Sequence, residues 1–287
     1  MKRRKNLRIV PSTIYDKQYY LHINDGGALG RQDNKLSPRL AYMAKLADIG
    51  REDVVLDVGC GTGELAFHCA ARGAKVYAID YSKDAIKMCL SKRKKMPKRI
   101  RERTTFIHGS VTTIDKTNIP GGTINKVLMT DIVEHLYPEQ LEEALARIRQ
   151  LVHDNAKLFV HTAPNLHFYS YGYPIIRWSY PVLRHIGFVK ALIDTKPNWK
   201  GRTSLPKDPE EGSHNKQGHV NEQTPQTLNK MLRKTGYKYR TWTLPFLRDV
   251  HGMKISIIYA LLRIPPLNLM FCSEIVSIAQ KEGRDRV

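Results

Sequence analysis

The stretch VVLDVGCGTGELAFHCAARGAKVYAID, residues 54–80, constrains this chain more than any other. A short apolar run, Val54–Val58, is broken by Gly59, Gly61 and Gly63, and a helical pattern from Glu64 to Arg72 stops at Gly73. A second apolar run, Lys75–Asp80, ends in a carboxylate. Runs of this kind ending in glycines are typical of buried parallel strands. Glycine lets the backbone turn tightly and come close to a ligand. The helix beyond offers N–H groups without intrahelical partners. Asp80 stands where a carboxylate accepts two hydrogen bonds from a ribose diol. A dinucleotide fingerprint would need a third glycine at position 64, which is Glu64.

The alternation continues downstream. Ser82 caps a helix through Leu90, and strands are expected at Thr104–His108 and, after the Gly121–Gly122 turn, at Lys126–Thr130. Pro138–Val152 has proline first, acids early and arginines late, with Leu141, Leu145, Ile148 and Val152 on one stripe. A fifth strand, Lys157–Thr162, follows. After residue 222, Thr224 and Pro225 open a helix that presents Leu228, Met231 and Leu232 and stops at Gly236; Tyr239–Leu244 and Glu274–Ala279 then read as adjacent strands. An earlier helix opens at Pro38, with Leu40, Met43, Leu46 and Ala47 on one face, and Gly50 is its expected stop. The pattern predicts a doubly wound α/β sheet of seven strands. Two interruptions, 165–205 and 245–271, predict helical insertions after strand five and between strands six and seven. The expected organisation is an arm and cap helix over 1–50, a cofactor-binding core over 51–164, an aromatic and basic insertion over 165–222, and a C-terminal part of the core over 223–287.

With 47 Lys+Arg against 27 Asp+Glu in 287 residues, the formal charge is +20, which attracts something anionic. No run of eighteen apolar residues occurs, so no spanning helix is expected. MKRRKNLRIV has the charge of a secretory leader without its apolar stretch, and the four cysteines form no C-x-x-C pair. A reducing, cytoplasmic setting is the expectation.

The D-x-G-x-G-x-G turn and the second-strand acid closely resemble those of the class I S-adenosylmethionine-dependent methyltransferases. The resemblance covers roughly 50–165 and 222–281, and it implies a Rossmann-like sheet of seven strands with an antiparallel last strand. It implies S-adenosylmethionine as cofactor, with Asp57, Gly59, Gly61 and Gly63 around its methionine part and Asp80 on its ribose. Tyr81, Ser110 and Val111 would lie by the adenine, although Ser110 departs from the acid or amide usual there. Thr130 and Asp131 would stand at the methionine end. T-D-I-V-E-H resembles the E-x-x-E-H of quinone O-methyltransferases, which makes Asp131, Glu134 and His135 an alternative metal-ligand set; the reading adopted is that no metal is held and that Glu134 and His135 organise the loop. The D-P-P-Y and N-P-P-F motifs of amino-methylating nucleic-acid enzymes do not occur.

An oxygen acceptor needs help losing its proton, and imidazole titrates in the right range. His135, after strand four, and His219, in G-H-V-N-E-Q-T-P, are the candidate bases; the rival role for each is a loop-anchoring hydrogen bond. His161 reads as structural and His214 as solvent-exposed. The H-x-x-x-x-T-P stretch and T-A-P-N at 162–165 resemble methyltransferases acting on quinones, sugars and glycolipid-like acceptors. The expected substrate is therefore a small or lipid-linked acceptor, methylated on oxygen. Residues 83–103 hold ten Lys/Arg and two acids, a solvated face or a phosphate-binding surface. Residues 165–205 hold 8 of the 24 aromatics and six Lys/Arg with one acid, Asp194. Both insertions combine basic and large apolar residues, as a lid over the acceptor or a dock on an anionic membrane surface would. The alternatives are an RNA methyltransferase, supported by charge but not by motifs, and a non-catalytic S-adenosylmethionine-binding protein.

Overall fold

The computed structural model describes residues 8–22, 36–115, 117, 119, 123–186, 201–245, 260–262 and 264–282. A short helix α1 (Lys17–His22) lies in the N-terminal arm. In α2 (Pro38–Ala47), Ser37 accepts a hydrogen bond from Leu40 N–H, and the helix ends at Asp48 in a left-handed conformation, φ 44°. The stop expected at Gly50 thus falls two residues early, because an aspartate tolerates that conformation. Then follow β1 (Val54–Val58), α3 (Glu64–Ala71), β2 (Lys75–Asp80), α4 (Lys83–Lys95), α5 (Lys98–Arg101), β3 (Thr104–His108), β4 (Ile124–Thr130) and α6 (Pro138–Leu151). After α6 the chain passes without a loop into β5 (Val152–Thr162), five residues before the expected start. The register between β4 and β5 shifts at Ile124/Lys126, and this irregularity hid the first half of the strand. A five-residue helical turn, Phe168–Gly172, runs into α7 (Tyr173–Leu183). The chain closes with α8 (Pro225–Lys234), β6 (Tyr237–Leu244), α9 (Leu267–Phe271) and β7 (Glu274–Lys281).

The seven strands lie in the order β3-β2-β1-β4-β5-β7-β6. β1 to β5 are mutually parallel, and β7 slots antiparallel between β5 and β6. Alternate residues of each strand enter opposite cores. Leu56 and Val58 face Leu141, Leu145 and Ile148 of α6 and Leu228 and Leu232 of α8. Val55, Val76 and Ala78 face Met43 and Ala47 of α2, Leu65, Phe67 and Cys69 of α3, and Ile86 and Cys89 of α4. With both faces covered, the carboxyl ends of the parallel strands are left as the open edge, where ligands bind in sheets of this kind.

Candidate active site

A cavity of about 750 Å³ opens at that edge. Its floor is the turn after β1. Gly59, Gly61 and Gly63 have φ of 70°, 52° and 85°, conformations that side chains disfavour. Gly59 N–H and Cys60 N–H donate to the Ile79 carbonyl at 2.8 and 3.1 Å, which ties the turn to the end of β2. The Asp80 carboxylate accepts from Gly61 N–H at 2.9 Å and from Ser82 N–H at 2.8 Å. Burial pushes its pKa up to about 6, against the pull of those N–H groups. Asp57 is raised to about 7 by burial and by the neighbouring charge of Asp80, and its Oδ2 has no hydrogen-bond partner among the described residues. Thr130 Oγ1, at the end of β4, is also buried and without a partner among the described residues.

The N-terminal arm forms one wall. Tyr15, Tyr19 and Tyr20 line the cavity, and Tyr20 lies over the turn, 3.6 Å from where a Cβ on Gly61 would stand. Tyr81 O–H donates to the Val10 carbonyl, and Ser82 O–H donates to that of Tyr15 at 2.6 Å. The sequence showed this segment only as basic and tyrosine-rich; where it packs depended on Tyr81 and Ser82, far along the chain.

On the far side, Asp131 holds a left-handed backbone conformation, φ 54°. Its carboxylate sits 2.7 Å from Arg39 Nε and 2.6 Å from His161 Nδ1. Burial opposes its ionisation, but Arg39 and His161 outweigh this and hold it well below the usual carboxylate range. His161 is fully buried, with Glu274 at 3.2 Å from Nε2. Glu134 accepts from Thr162 O–H at 2.7 Å; burial, then the charge of Asp131, raises it to about 7. His135 Nδ1 lies 2.8 Å from Tyr15 Oη and 3.1 Å from the Gly218 carbonyl. Burial, then neighbouring His219, lowers its pKa to about 4, so the ring is neutral at ordinary pH. His219 Nδ1 stands 2.7 Å from Glu210 Oε1, which also accepts from Tyr169 O–H at 3.2 Å. Burial would depress this imidazole, but Glu210 and Glu134 raise it above its ordinary value. Glu210 carried no motif in the sequence and was missed there.

Residues 29–241 match a family described as a methyltransferase domain. The chain belongs to that family. It is 32% identical over 108 residues to the mitochondrial ubiquinone biosynthesis O-methyltransferase of Schizosaccharomyces pombe, covering 38% of this chain and 37% of that one. It is 41% identical over 75 residues to the ribosomal protein arginine N-methyltransferase rmt3 of the same yeast, 26% of this chain and 13% of the other. The chain therefore spans well under half the length of these curated relatives. Among solved structures, the glycopeptide N-methyltransferase MtfA complexed with S-adenosyl-L-methionine matches with a TM-score of 0.54 at 13% identity, covering 88% of this chain and 90% of that one. A SAM-dependent methyltransferase from Archaeoglobus fulgidus matches with a TM-score of 0.50 at 18% identity, covering 84% and 92%. At such identities the likeness is one of fold.

S-adenosylmethionine is the cofactor of this methyltransferase domain, and the cavity suits it. The cofactor is cationic at its sulfonium and ammonium, and the floor offers the carboxylates of Asp57 and Asp80 and a wall of tyrosine rings, which attract cations. The unpartnered Asp57 Oδ2 and Thr130 Oγ1 are polar atoms that a donor-rich ligand would satisfy. Of the expected residues, Asp57, Gly59, Gly61, Asp80, Tyr81, Ser110, Val111, Thr130, Asp131, His135 and His219 all line the cavity. Gly63 is absent from that lining; it starts α3, and a Cβ there would stand 3.1 Å from Cys89 and Phe67. Ser110 Oγ accepts from Thr112 N–H at 3.2 Å, so part of its capacity is spent in its own loop. The Asp131 carboxylate lies against Arg39 and His161. The ligand atoms of Glu134 and His135 converge instead with those of His219, within 4.8 Å. The His214 side chain lies outside the described residues.

Proposed function

We propose that this chain transfers the methyl group of S-adenosylmethionine to an oxygen of a small or lipid-linked, largely apolar acceptor, with His219 as general base. The observation that carries the proposal is the His219–Glu210 pair, which lines the same cavity as the glycine turn and Asp80. When bound, the cofactor supplies an electrophilic methyl carbon on a sulfonium. Glu210 holds a proton on His219 Nδ1, which leaves Nε2 as the atom that takes the acceptor's hydroxyl proton. With the cofactor bound, an acceptor oxygen relieved of its proton by His219 would form the new C–O bond as the S–C electron pair passed to sulfur. His135, anchored by Tyr15 and Gly218, joins the arm to the loop that carries His219. Asp57 and Asp80 hold the cofactor's polar groups. The similarity to the ubiquinone O-methyltransferase supports a phenolic acceptor.

The test measures S-adenosylhomocysteine release with a panel of hydrophobic phenols and catechols. His219→Gln should keep cofactor affinity and lose about 10²–10⁴-fold in turnover. The kcat/KM profile should fall as pH drops through the His219 pKa, which lies above the ordinary imidazole value. Glu210→Gln removes the charge that stabilises the imidazolium, so it should move that inflection to lower pH. A His219→Gln variant with wild-type turnover excludes the base role.

A further inference from the structure

We infer that the outer face of α7 is a dock for an anionic lipid surface, which deepens the functional reading above by naming where the acceptor is met. Ile175, Trp178 and Val182 recur at steps of three and four residues, one stripe of α7, with Tyr171 on the turn before the helix and Ile186 just beyond its end. All five are exposed, Trp178 to 85% and Val182 to 72%. The stripe is not a helix awaiting its place in the core, because the other face is already fixed. Tyr173 and Tyr180 are buried with Phe168 and Leu205, and their hydroxyls donate to the carbonyls of Pro206 at 2.8 Å and Arg202 at 3.2 Å. Exposed apolar residues in a contiguous stripe mark a surface that another phase or molecule covers.

The second insertion adds to the same region. α9 crosses so close to Gly172 that a Cβ there would lie 1.9 Å from the Met270 carbonyl oxygen. Beside this crossing Leu261, Ile264 and Leu267 are exposed. The charge identifies the occupant. No Asp or Glu occurs between Asp154 and Asp194, or between Asp249 and Glu274, in a chain of charge +20. Arg177 is exposed on α7 next to Trp178. An apolar stripe in a chain segment that carries basic and no acidic residues fits the boundary between headgroups and acyl chains of an anionic bilayer, with Asp208 and Glu211 lying instead toward Tyr173 on the packed face. The dock is continuous with the cavity, since Phe168 and Tyr169, on the turn that leads into α7, line it. An acceptor embedded in the bilayer would thus meet the site at the membrane surface.

The experiment is co-sedimentation of the full chain with vesicles of phosphatidylcholine alone or mixed with phosphatidylglycerol, with cofactor binding followed by calorimetry in parallel. The wild type should pellet with the mixed vesicles. It should be released as salt rises from about 0.1 to about 1 M, where screening shortens to a few ångströms. Trp178→Ser/Val182→Ser should bind the mixed vesicles about tenfold more weakly while keeping cofactor affinity, because its side chains lie outside the cavity. Tryptophan emission should shift to the blue on adding mixed vesicles to the wild type and shift less in Trp178→Phe. The dock is overturned if the wild type stays in the supernatant at low salt, or if the double variant pellets like the wild type. It is equally overturned if the double substitution abolishes only self-association or RNA binding. Retained cofactor binding and turnover in those cases would sink the dock and leave the proposed reaction standing.

Discussion

Asp80 does two jobs with one carboxylate. It receives the N–H groups of Gly61 and Ser82, and so fixes the turn, and it lines the cavity. Replacing it should therefore damage both cofactor recognition and the shape of the floor. Asp80→Ala should weaken S-adenosylmethionine binding by roughly 1.5–3 kcal/mol, the scale for lost hydrogen bonds to a charged group. Calorimetry reads this directly, and an unchanged Kd would remove Asp80 from the site. Asp131 is the neighbouring case of a residue whose setting overrides its type. An aspartate with φ near 54° costs on the order of 1–3 kcal/mol. Arg39 and His161 grip its carboxylate, and this grip offsets the strain.

Among the elements, the two insertions meet through a close backbone approach and a side-chain hydrogen bond. Gly172 meets the Met270 carbonyl, and Asn165 Nδ2 donates to the Cys272 carbonyl at 2.9 Å. Gly172 has an ordinary helical φ of −72°, so its glycine is demanded by space and not by conformation. Gly172→Ala should force α9 away from the turn and cost about 1–3 kcal/mol, as overpacking does. A urea melt should show the loss as a lower midpoint, and an unchanged midpoint would mean that the crossing relaxes freely. The helix α4 shows the opposite economy of contact. Much of its basic run is solvated, yet Lys92 reaches the Thr62 carbonyl at 3.0 Å and Glu64 at 2.9 Å, and Arg93 the Arg101 carbonyl at 2.7 Å. These positions support the glycine turn and the α4–α5 corner, so the charge of 83–103 is not all available to a partner.

For the molecule as a whole, His161 joins β4, β5 and β7 through Asp131 and Glu274. Burial alone would lower its pKa, but Asp131 and Glu274 raise it from 6.5 to about 10. The folded state thus binds a proton that the unfolded chain releases above 6.5. This contribution is fully present below pH 6.5 and is lost as pH rises through about 10. Stability should fall across that window by up to ~1.4 kcal/mol per pH unit. His161→Ala should remove the pH dependence and cost about 3–5 kcal/mol, since it takes a charged partner from each of two carboxylates. Denaturant midpoints at several pH values would check both; a wild-type midpoint flat from pH 7 to 10 would exclude a protonated His161.

The strands, the glycine turn and the acid at the end of β2 were legible in the residues, because these rest on local chemistry: alternating apolar runs, glycine φ, caps and the acid at a strand end. Val54–Val58, Lys75–Asp80 and Thr104–His108 stand in the structure at the bounds read from the residues alone. Where neighbours across the sheet set the limits, the expected bounds were short: β5 begins at Val152, in a stretch with no clean alternation, and β6 at Tyr237, two residues before its expected start. Ile257 and Ile258, in the apolar interruption, lie outside the described residues. Only the tertiary structure decided which ionisable groups meet. Arg39 reaches Asp131, Tyr15 reaches His135 and Glu274 reaches His161 across ninety or more residues of chain, and Glu210 joins His219 within one loop. Ion pairs and hydrogen bonds act over a few ångströms in space and leave no periodic mark along the chain, so folding alone selects the partners.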